Sequence, residues 1–256
     1  MRSPSNKKEN FATVIMAAGK GTRMKNPDKA KVMFELSGKP MIHYVADLAY
    51  ALGAGRIVAI VGFQREEVMT YLQQTHPRVE FVVQEPQLGT GHAVMQTEST
   101  LEDFSGDLLV LSGDVPLLKK ETINDMMQLH HSAGAVATIL TAEVEDPGGY
   151  GRVIRNEDEL VEEIVEHRDA SSDQLRIKEI NSGIYLFTKE KLFEGLHHLA
   201  PHNVQNEYYL TDVFEYFWRG HMTVAAFKAP HVDEIQGVNT LEHLEQAHEI
   251  LGARMK

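Results

Sequence analysis

The segment Ala17-Ala18-Gly19-Lys20-Gly21-Thr22-Arg23-Met24 follows directly on an apolar run from Phe11 to Ala17. Glycines at a strand end let the backbone turn sharply and bring successive N–H groups close to a ligand. Around this turn stand Lys20, Arg23, Lys25, Lys29 and Lys31, opposed only by Asp28. The whole chain carries a formal net charge of −12, so a local basic segment needs a reason. A small polyanion such as a triphosphate supplies one, held by backbone amides and by an arginine that can grip two oxygens at once. A plain basic surface loop is the alternative. The turn is not a P-loop, because no Gly-Lys-Ser/Thr closes it. Nor is it a complete dinucleotide fingerprint, because Met24 occupies the third glycine position.

The pattern around the turn sets the fold class. Runs at 11–17, 56–61, 79–83 and 107–111 are apolar on both sides, as in parallel strands covered on both faces. Helical spacing marks 40–52, 65–74, 90–99 and 120–131. This alternation predicts an α/β fold with a Rossmann-like, doubly wound, mostly parallel mixed sheet. The second half is richer in strands, at 135–141, 151–155, 160–165 and 180–187, and reads as a continuation of the sheet. Pro147-Gly148-Gly149 breaks the chain between two of them. Helices are expected at 190–199 and 209–219, a strand at 222–227, and a last helix near 240–253.

Composition removes several classes. The chain has no cysteine, which excludes disulfides, thiolate metal sites and cysteine nucleophiles. No apolar run reaches membrane-spanning length. The first ten residues, MRSPSNKKEN, lack the apolar stretch of a signal peptide and read as a disordered lead-in. A cytoplasmic protein without membrane partners is expected. The negative field also disfavours nucleic acid. The 13 histidines suggest no metal cluster: His130-His131 and His197-His198 are adjacent pairs, which point to different faces of a helix, and His92 reads as an ordinary helix residue.

Two further segments carry chemistry. In Gln84-Glu85-Pro86-Gln87-Leu88-Gly89-Thr90-Gly91-His92-Ala93, a glutamine at a strand end can donate to and accept from a base edge, and the glycines let backbone approach a flat ring. A bare strand-to-helix turn is the plainer reading. In Leu111-Ser112-Gly113-Asp114-Val115-Pro116, Asp114 sits at the carboxyl end of a strand, where open α/β sheets bind ligands. One or two hard oxygens suffice for Mg²⁺ when water and phosphate supply the rest. A helix N-cap is the competing role for Asp114.

With Leu36-Ser37-Gly38-Lys39-Pro40-Met41 added, the basic glycine segment resembles the nucleotide-sugar pyrophosphorylases. That family usually has proline directly before its second lysine. Here Ala30 stands there, with Pro27 displaced upstream, and the Lys-Val…Leu-x-Gly-Lys spacing selects Lys31 over Lys29. The Gln84–Ala93 segment is similar to the N-acetylglucosamine-1-phosphate uridylyltransferases, which form the N-terminal domain of the bifunctional bacterial UDP-N-acetylglucosamine enzyme. The likeness runs from about residue 11 to 240.

The resemblance implies a fold of the nucleotide-diphospho-sugar transferase type and transfer of a uridylyl group from UTP to N-acetylglucosamine-1-phosphate, with Mg²⁺ as cofactor. Ala17, Ala18, Gly19 and Gly21 would hold the nucleotide, Arg23 and Lys31 would be the catalytic cations, and Gln84, Gly89 and Thr90 would contact uracil. In Gly149-Tyr150-Gly151-Arg152, Gly151 would meet the sugar's acyl group. Glu166, Asn181, Tyr209 and Thr211, in segments that match the family's, would complete the sugar pocket. Asp114 and Asn239 would bind the metal. Ser112 stands where the family's uridylyltransferases often carry tyrosine.

On this reading residues 11–256 form one domain. A nucleotide-binding half spans 11–118, a sugar-binding half 119–240 and a C-terminal helix 241–256. The chain contains no hexapeptide repeat, so the acetyl transfer of the bifunctional enzymes is not expected of it. Competing readings are a related transferase using glucose-1-phosphate or dTTP, and a non-catalytic nucleotide-sugar sensor. A glycosyltransferase is a third, although its Asp-x-Asp motif is absent. Monomer and dimer stay open.

Overall fold

The computed structural model describes residues 10–24, 26, 28–157 and 160–254. Residues 1–9, on which the expectation of a lead-in falls, lie outside this set, as do Lys25, Pro27 and the last two residues of the expected C-terminal segment. The chain opens with β1 (Phe11–Ala17), then a two-residue hairpin of β2 (Glu35–Leu36) and β3 (Lys39–Pro40), and α1 (Met41–Leu52). Next come β4 (Arg56–Val61), α2 (Arg65–Thr75), β5 (Val79–Val83), α3 (Thr90–Met95), β6 (Asp107–Ser112) and α4 (Lys120–Ala133). The second half has β7 (Ala137–Glu143), β8 (Gly151–Arg155), β9 (Val161–Val165) and β10 (Glu179–Thr188). It continues with α5 (Lys189–Leu196), α6 (Val213–Arg219), β11 (Val224–Lys228) and α7 (Leu241–Arg254).

The main sheet has the order β11-β7-β10-β6-β1-β4-β5, with β8 and β9 added beside β10. β1 pairs in parallel with both β4 and β6, and β4 with β5. β10 runs antiparallel to both β6 and β7. The mixed, mostly parallel sheet anticipated from the apolar runs is what forms. From β1 the chain winds outward through β4 and β5, then returns to place β6 on the other side of β1. That reversal is a topological switch point, where the carboxyl ends of neighbouring strands leave a crevice.

β1 is buried because its side chains alternate between two cores. Phe11, Ile15 and Ala17 face the helices α1, α2 and α4 through Ile42, Val45, Val68, Leu72, Ile123 and Met126. Ala12 and Val14 face α3, α5 and α6 through Val94, Leu192, Phe193, Val213, Phe214 and Phe217. A smaller cluster, including Met24, Leu36, Met41, Val238 and Ala247, seats α7 on the β2–β3 hairpin.

Three boundaries differ from the pattern reading. The helix expected at 90–99 stops at Met95 because its end tightens: Gln96 and Thr97 bond three residues back, to Ala93 O and Val94 O, while the Gln96 side chain takes the His92 carbonyl. The helix expected at 209–219 begins at Val213 after a single tight turn. Tyr209 is extended (φ −79°, ψ 134°) and Asp212 N bonds three residues back to Tyr209 O, so residues 209–212 make a tight turn before the helix. The helix expected at 190–199 runs from Lys189 to Leu196. Among the described residues, no helix is long and apolar enough to cross a membrane.

Phe187 is fully buried, and its ring centroid lies 5.5 Å from that of Tyr185 and 5.6 Å from that of Phe214. Phe187→Ala is expected to cost about 3–5 kcal/mol in denaturant unfolding. A loss below about 1 kcal/mol would show that this aromatic layer is not core.

Candidate active site

Four parallel strands deliver the site. The glycine turn follows β1, Gly62 follows β4, Gln84 follows β5 and Asp114 follows β6. All four strand ends lie at one edge of the sheet because the strands share a direction. A cavity of about 380 Å³ there is lined by Ala18, Gly19, Lys31, Gln84, Gly89, Thr90, Ser112 and Asp114 among others. The basic turn and Asp114 therefore open on one cleft.

Lys31 is the focal side chain. Its Nζ donates to Asp114 Oδ2, and to Asn239 Oδ1 at 2.6 Å. Arg23 donates to the same Asn239 oxygen at 2.6 Å. Asn239 Nδ2 donates to Gly237 O at 3.1 Å, which fixes the amide with its oxygen toward the cations. Asp114 is no helix cap: α4 starts at Lys120 with Lys119 as its cap residue, and the Asp114 carbonyl accepts from Val238 N.

Lys20 and Lys29 separate from this group. Lys29 lies over the Phe34 ring, 5.6 Å from its centroid, and Lys20 is exposed. Ala30 has φ −60° and ψ 138°, and that φ lies close to the value a proline ring would impose. Gly21, at φ +64°, packs so tightly on Lys31 that a Cβ would sit 2.6 Å from Lys31 Cβ. Ala17 is buried at the end of β1 and does not line the cleft.

Past the end of β5, Gln84 is buried and its Nε2 donates to Gly89 O at 2.8 Å. Its amide oxygen is then the acceptor left for a ligand N–H. The expectation that Gly89 and Gly91 make room for a flat ring is met differently. A Cβ on Gly89 would lie 2.5 Å from Tyr208 O, and one on Gly91 3.0 Å from the same oxygen. These glycines admit the 207–210 backbone, and Thr90 Oγ1 accepts from Leu210 N at 2.9 Å.

A second cavity of about 200 Å³ adjoins the first, with Met16, Thr90 and Ser112 in both walls. Gly151, Glu166 and Asn181 line it, with Tyr150, Tyr185 and Leu210. Asn181 stands at an irregularity in β10 between Asn181 and Tyr185. Its Nδ2 donates to Tyr185 OH at 2.7 Å, and its Oδ1 accepts from Gly183 N at 3.1 Å. Ser112 Oγ donates to the Gly183 carbonyl at 3.3 Å, which ties β6 to this bend.

Tyr209 and Thr211 do not line that cavity; they line a neighbouring one of about 520 Å³, and Glu166 borders both. Thr211 donates to Glu166 Oε1 at 3.1 Å. Burial pushes the Glu166 carboxyl up despite this bond. The Tyr209 hydroxyl is buried, with Asp169 the nearby carboxylate acting on it.

Pattern reading assigned no role to several neighbours. Gln87 bonds Ala18 O and Glu207 lines the nucleotide-side wall. Tyr150 OH accepts from Gly237 N at 3.2 Å. All three lie within segments already singled out; Glu207 opens the Glu207–Asp212 segment read as sugar-pocket wall, and the docked 207–210 backbone brings it to the first cavity instead.

The histidines also depart from expectation. His131 and the buried His130 both approach Asp107, with His131 Nε2 2.7 Å from Oδ2 and His130 Nε2 3.7 Å from Oδ1. Separately, His43, Asp47 and His76 come together.

A basic glycine turn, an acidic strand end and an adjoining polar cavity meet at the switch point of a doubly wound α/β domain. Over residues 12–232 the sequence matches the family described as Nucleotidyl transferase, and the chain belongs to that family. It is 46% identical over 246 residues to the Bifunctional protein GlmU of Halalkalibacterium halodurans, covering 96% of this chain and 53% of that one. A Bacillus cereus protein of the same name gives the same figures. The chain thus spans about half the length of these relatives. The crystal structure of UDP-glucose pyrophosphorylase complexed with UDP-glucose superimposes with a TM-score of 0.78 at 19% identity, over 96% of this chain and 99% of that one. That likeness is one of fold.

Asp212, in the wall of the neighbouring cavity, has its pKa raised to about 6, by burial first and then by Glu166, Glu215 and Asp169. An unfolded aspartate titrates near 3.9, so the folded state keeps a proton that the unfolded state releases. This contribution is full below pH ~4 and is lost as pH rises toward ~6. Asp212→Asn is expected to raise the Tm relative to the parent at pH 7.5 and to give no gain at pH 4. Equal Tm differences at both pH values would remove the carboxylate repulsion.

Proposed function

We propose that this chain transfers a uridylyl group from UTP to N-acetylglucosamine-1-phosphate, releasing pyrophosphate. The observation that carries the reading is the pair of adjoining cavities. One holds Lys31 and Asp114, and the other is lined by Gly151, Glu166 and Asn181. Membership of the nucleotidyl transferase family supports the reaction class. The motifs at Gln84–Ala93 and around Glu166 support the choice of base and sugar, through their resemblance to the uridylyltransferases.

The chemical problem is to bring two anions together. The sugar phosphate oxygen attacks the α-phosphorus, a new P–O bond forms, and the bond to pyrophosphate breaks on the far side. That oxygen is already anionic at neutral pH, so no general base is required. The amides of the 18–21 turn, with Arg23 and Lys31, position the phosphates and neutralise them. Gln84 accepts from the imide N–H of uracil. Glu166 accepts from sugar hydroxyls and Asn181 contacts the sugar.

Asp114 and Asn239 fit Mg²⁺. They offer hard oxygens, one of them anionic, that already converge on one ammonium. Gly237 keeps open a space whose Cβ would stand 3.3 Å from Asp114 Oδ2. When bound, Mg²⁺ supplies further neutralisation of phosphate charge. A cytoplasmic location suits these substrates.

The test is pyrophosphate release from UTP, N-acetylglucosamine-1-phosphate and Mg²⁺, with glucose-1-phosphate and dTTP run beside them. The first pair is expected to be preferred. Better turnover of another pair would reassign the substrate, and binding without turnover would make the chain a sensor. Asp114→Ala is expected to lower kcat on the order of 10²-fold or more, with folding intact by circular dichroism. Wild-type turnover in that variant would contradict the metal assignment. Lys31→Ala should lower kcat/KM; an unchanged value would take Lys31 out of the site.

A further inference from the structure

On the face of the sheet covered by α1 and α2, three side chains outside the cleft converge. His43 and Asp47 are one turn apart on α1, and His76 is the residue that ends α2. One ligand atom from each lies within 4.8 Å of the other two. His43 Nε2 is 3.2 Å from Asp47 Oδ2, and His76 Nε2 is 3.1 Å from Asp47 Oδ1. The two contacts end on different oxygens of Asp47, so its carboxylate spans both rings, and an ion with bonds of ~2.0–2.1 Å to nitrogen and oxygen would be gripped by the two imidazoles and that carboxylate.

The hydrogen bonds behind the rings orient them for ligation. The Thr75 hydroxyl has one hydrogen, and it donates that to Tyr71 O at 2.8 Å. It must therefore accept from His76 Nδ1–H, 2.8 Å away. His76 Nε2 then faces a carboxylate oxygen and needs a cation between them, either a proton or a metal.

His43 is tied in the same way, with Nδ1 3.0 Å from Tyr71 OH. Its Nε2 lies 2.9 Å from Lys39 Nζ. The Lys39 ammonium can only donate, so His43 Nε2 accepts from it and carries its lone pair there. A ligating histidine ordinarily has its other ring N–H held by an oxygen acceptor; here the Tyr71 and Thr75 hydroxyls stand at those nitrogens. His76 is 3% exposed, whereas the Asp47 side chain is 57% exposed, so the cluster is held from inside and entered from solvent.

We propose that His43 Nε2, Asp47 and His76 Nε2 form a binding site for a zinc-type divalent transition ion, with the fourth position open to water. Two imidazoles and one carboxylate are the donor set that suits zinc rather than magnesium. The ammonium of Lys39, exposed at its end of the hairpin, is the cation a metal would displace. An occupied site would pin α1 to the end of α2.

The test is calorimetric titration of the chelator-treated chain with ZnCl₂, without nucleotide or Mg²⁺. One ion per chain is expected, with Kd in the micromolar range or below. Asp47→Asn and His43→Gln should each weaken it at least tenfold, and Lys39→Ala should tighten it. Asp114→Ala should leave it unchanged, which separates it from the cleft. Co²⁺ loading should give the visible absorption of a tetrahedral site in the parent and not in Asp47→Asn. Because His76 is buried, His76→Ala is read only where its far-ultraviolet dichroism matches the parent. No binding, or equal affinity in the parent, Asp47→Asn and His43→Gln, would overturn the proposal and leave a protonated histidine–aspartate pair in its place.

Discussion

Lys31 stands between two oxygens, Asp114 Oδ2 and Asn239 Oδ1, that come from distant parts of the chain. The ion pair is partly buried, with side-chain exposures of 15% and 20%. Removing one partner would leave the other charge poorly solvated, so each depends on the other. On the proposed function, a triphosphate would compete with Asp114 for the ammonium and a divalent cation would compete with the ammonium for Asp114, so one charge partner would be exchanged for another.

That contact requires the sheet. Parallel β1 and β6 are neighbours, so the turn after one and the aspartate after the other leave the sheet side by side. The return of the chain from β5 to β6 makes the crevice between them. Asn239 arrives from the far end of the sequence, held by Val238 N on Asp114 O and by α7, whose Arg254 bonds Leu117 O at 2.6 Å. The antiparallel β10, bent at Gly183 with φ +77°, gives the second cavity its own wall. Two pockets with a shared partition follow from one antiparallel strand inserted into a parallel sheet.

Much of this was legible in the residues, because the parallel strands β1, β4, β5 and β6 are largely apolar runs. Gly19, Gln84 and Asp114 lie just past strand ends, a position that sequence reports well, whereas Lys31 sits in a short turn well beyond β1. What sequence could not report was contact across the fold. The two-residue hairpin at 35–40 has no pattern long enough to read. Gly89 and Gly91 looked like room for a ring and turned out to admit the Tyr208 backbone, which is remote in the chain. Tyr209 and Thr211 border the next cavity rather than the one holding Asn181, because the extended segment at 207–209 sets their direction. His43 and Asp47 were visible as a pair four apart, but His76 joins them only when α2 packs beside α1.

The central claim is that one triphosphate spans the glycine turn and the Asp114 side of the cleft. The most direct measurement is a crystal structure with a non-hydrolysable UTP analogue and Mg²⁺. The account expects the phosphates on the 18–21 amides and Lys31, the metal ion on Asp114 and Asn239, and the base beside Gln84. Phosphates bound away from Lys31, or a base outside the Gln84–Thr90 wall, would contradict it.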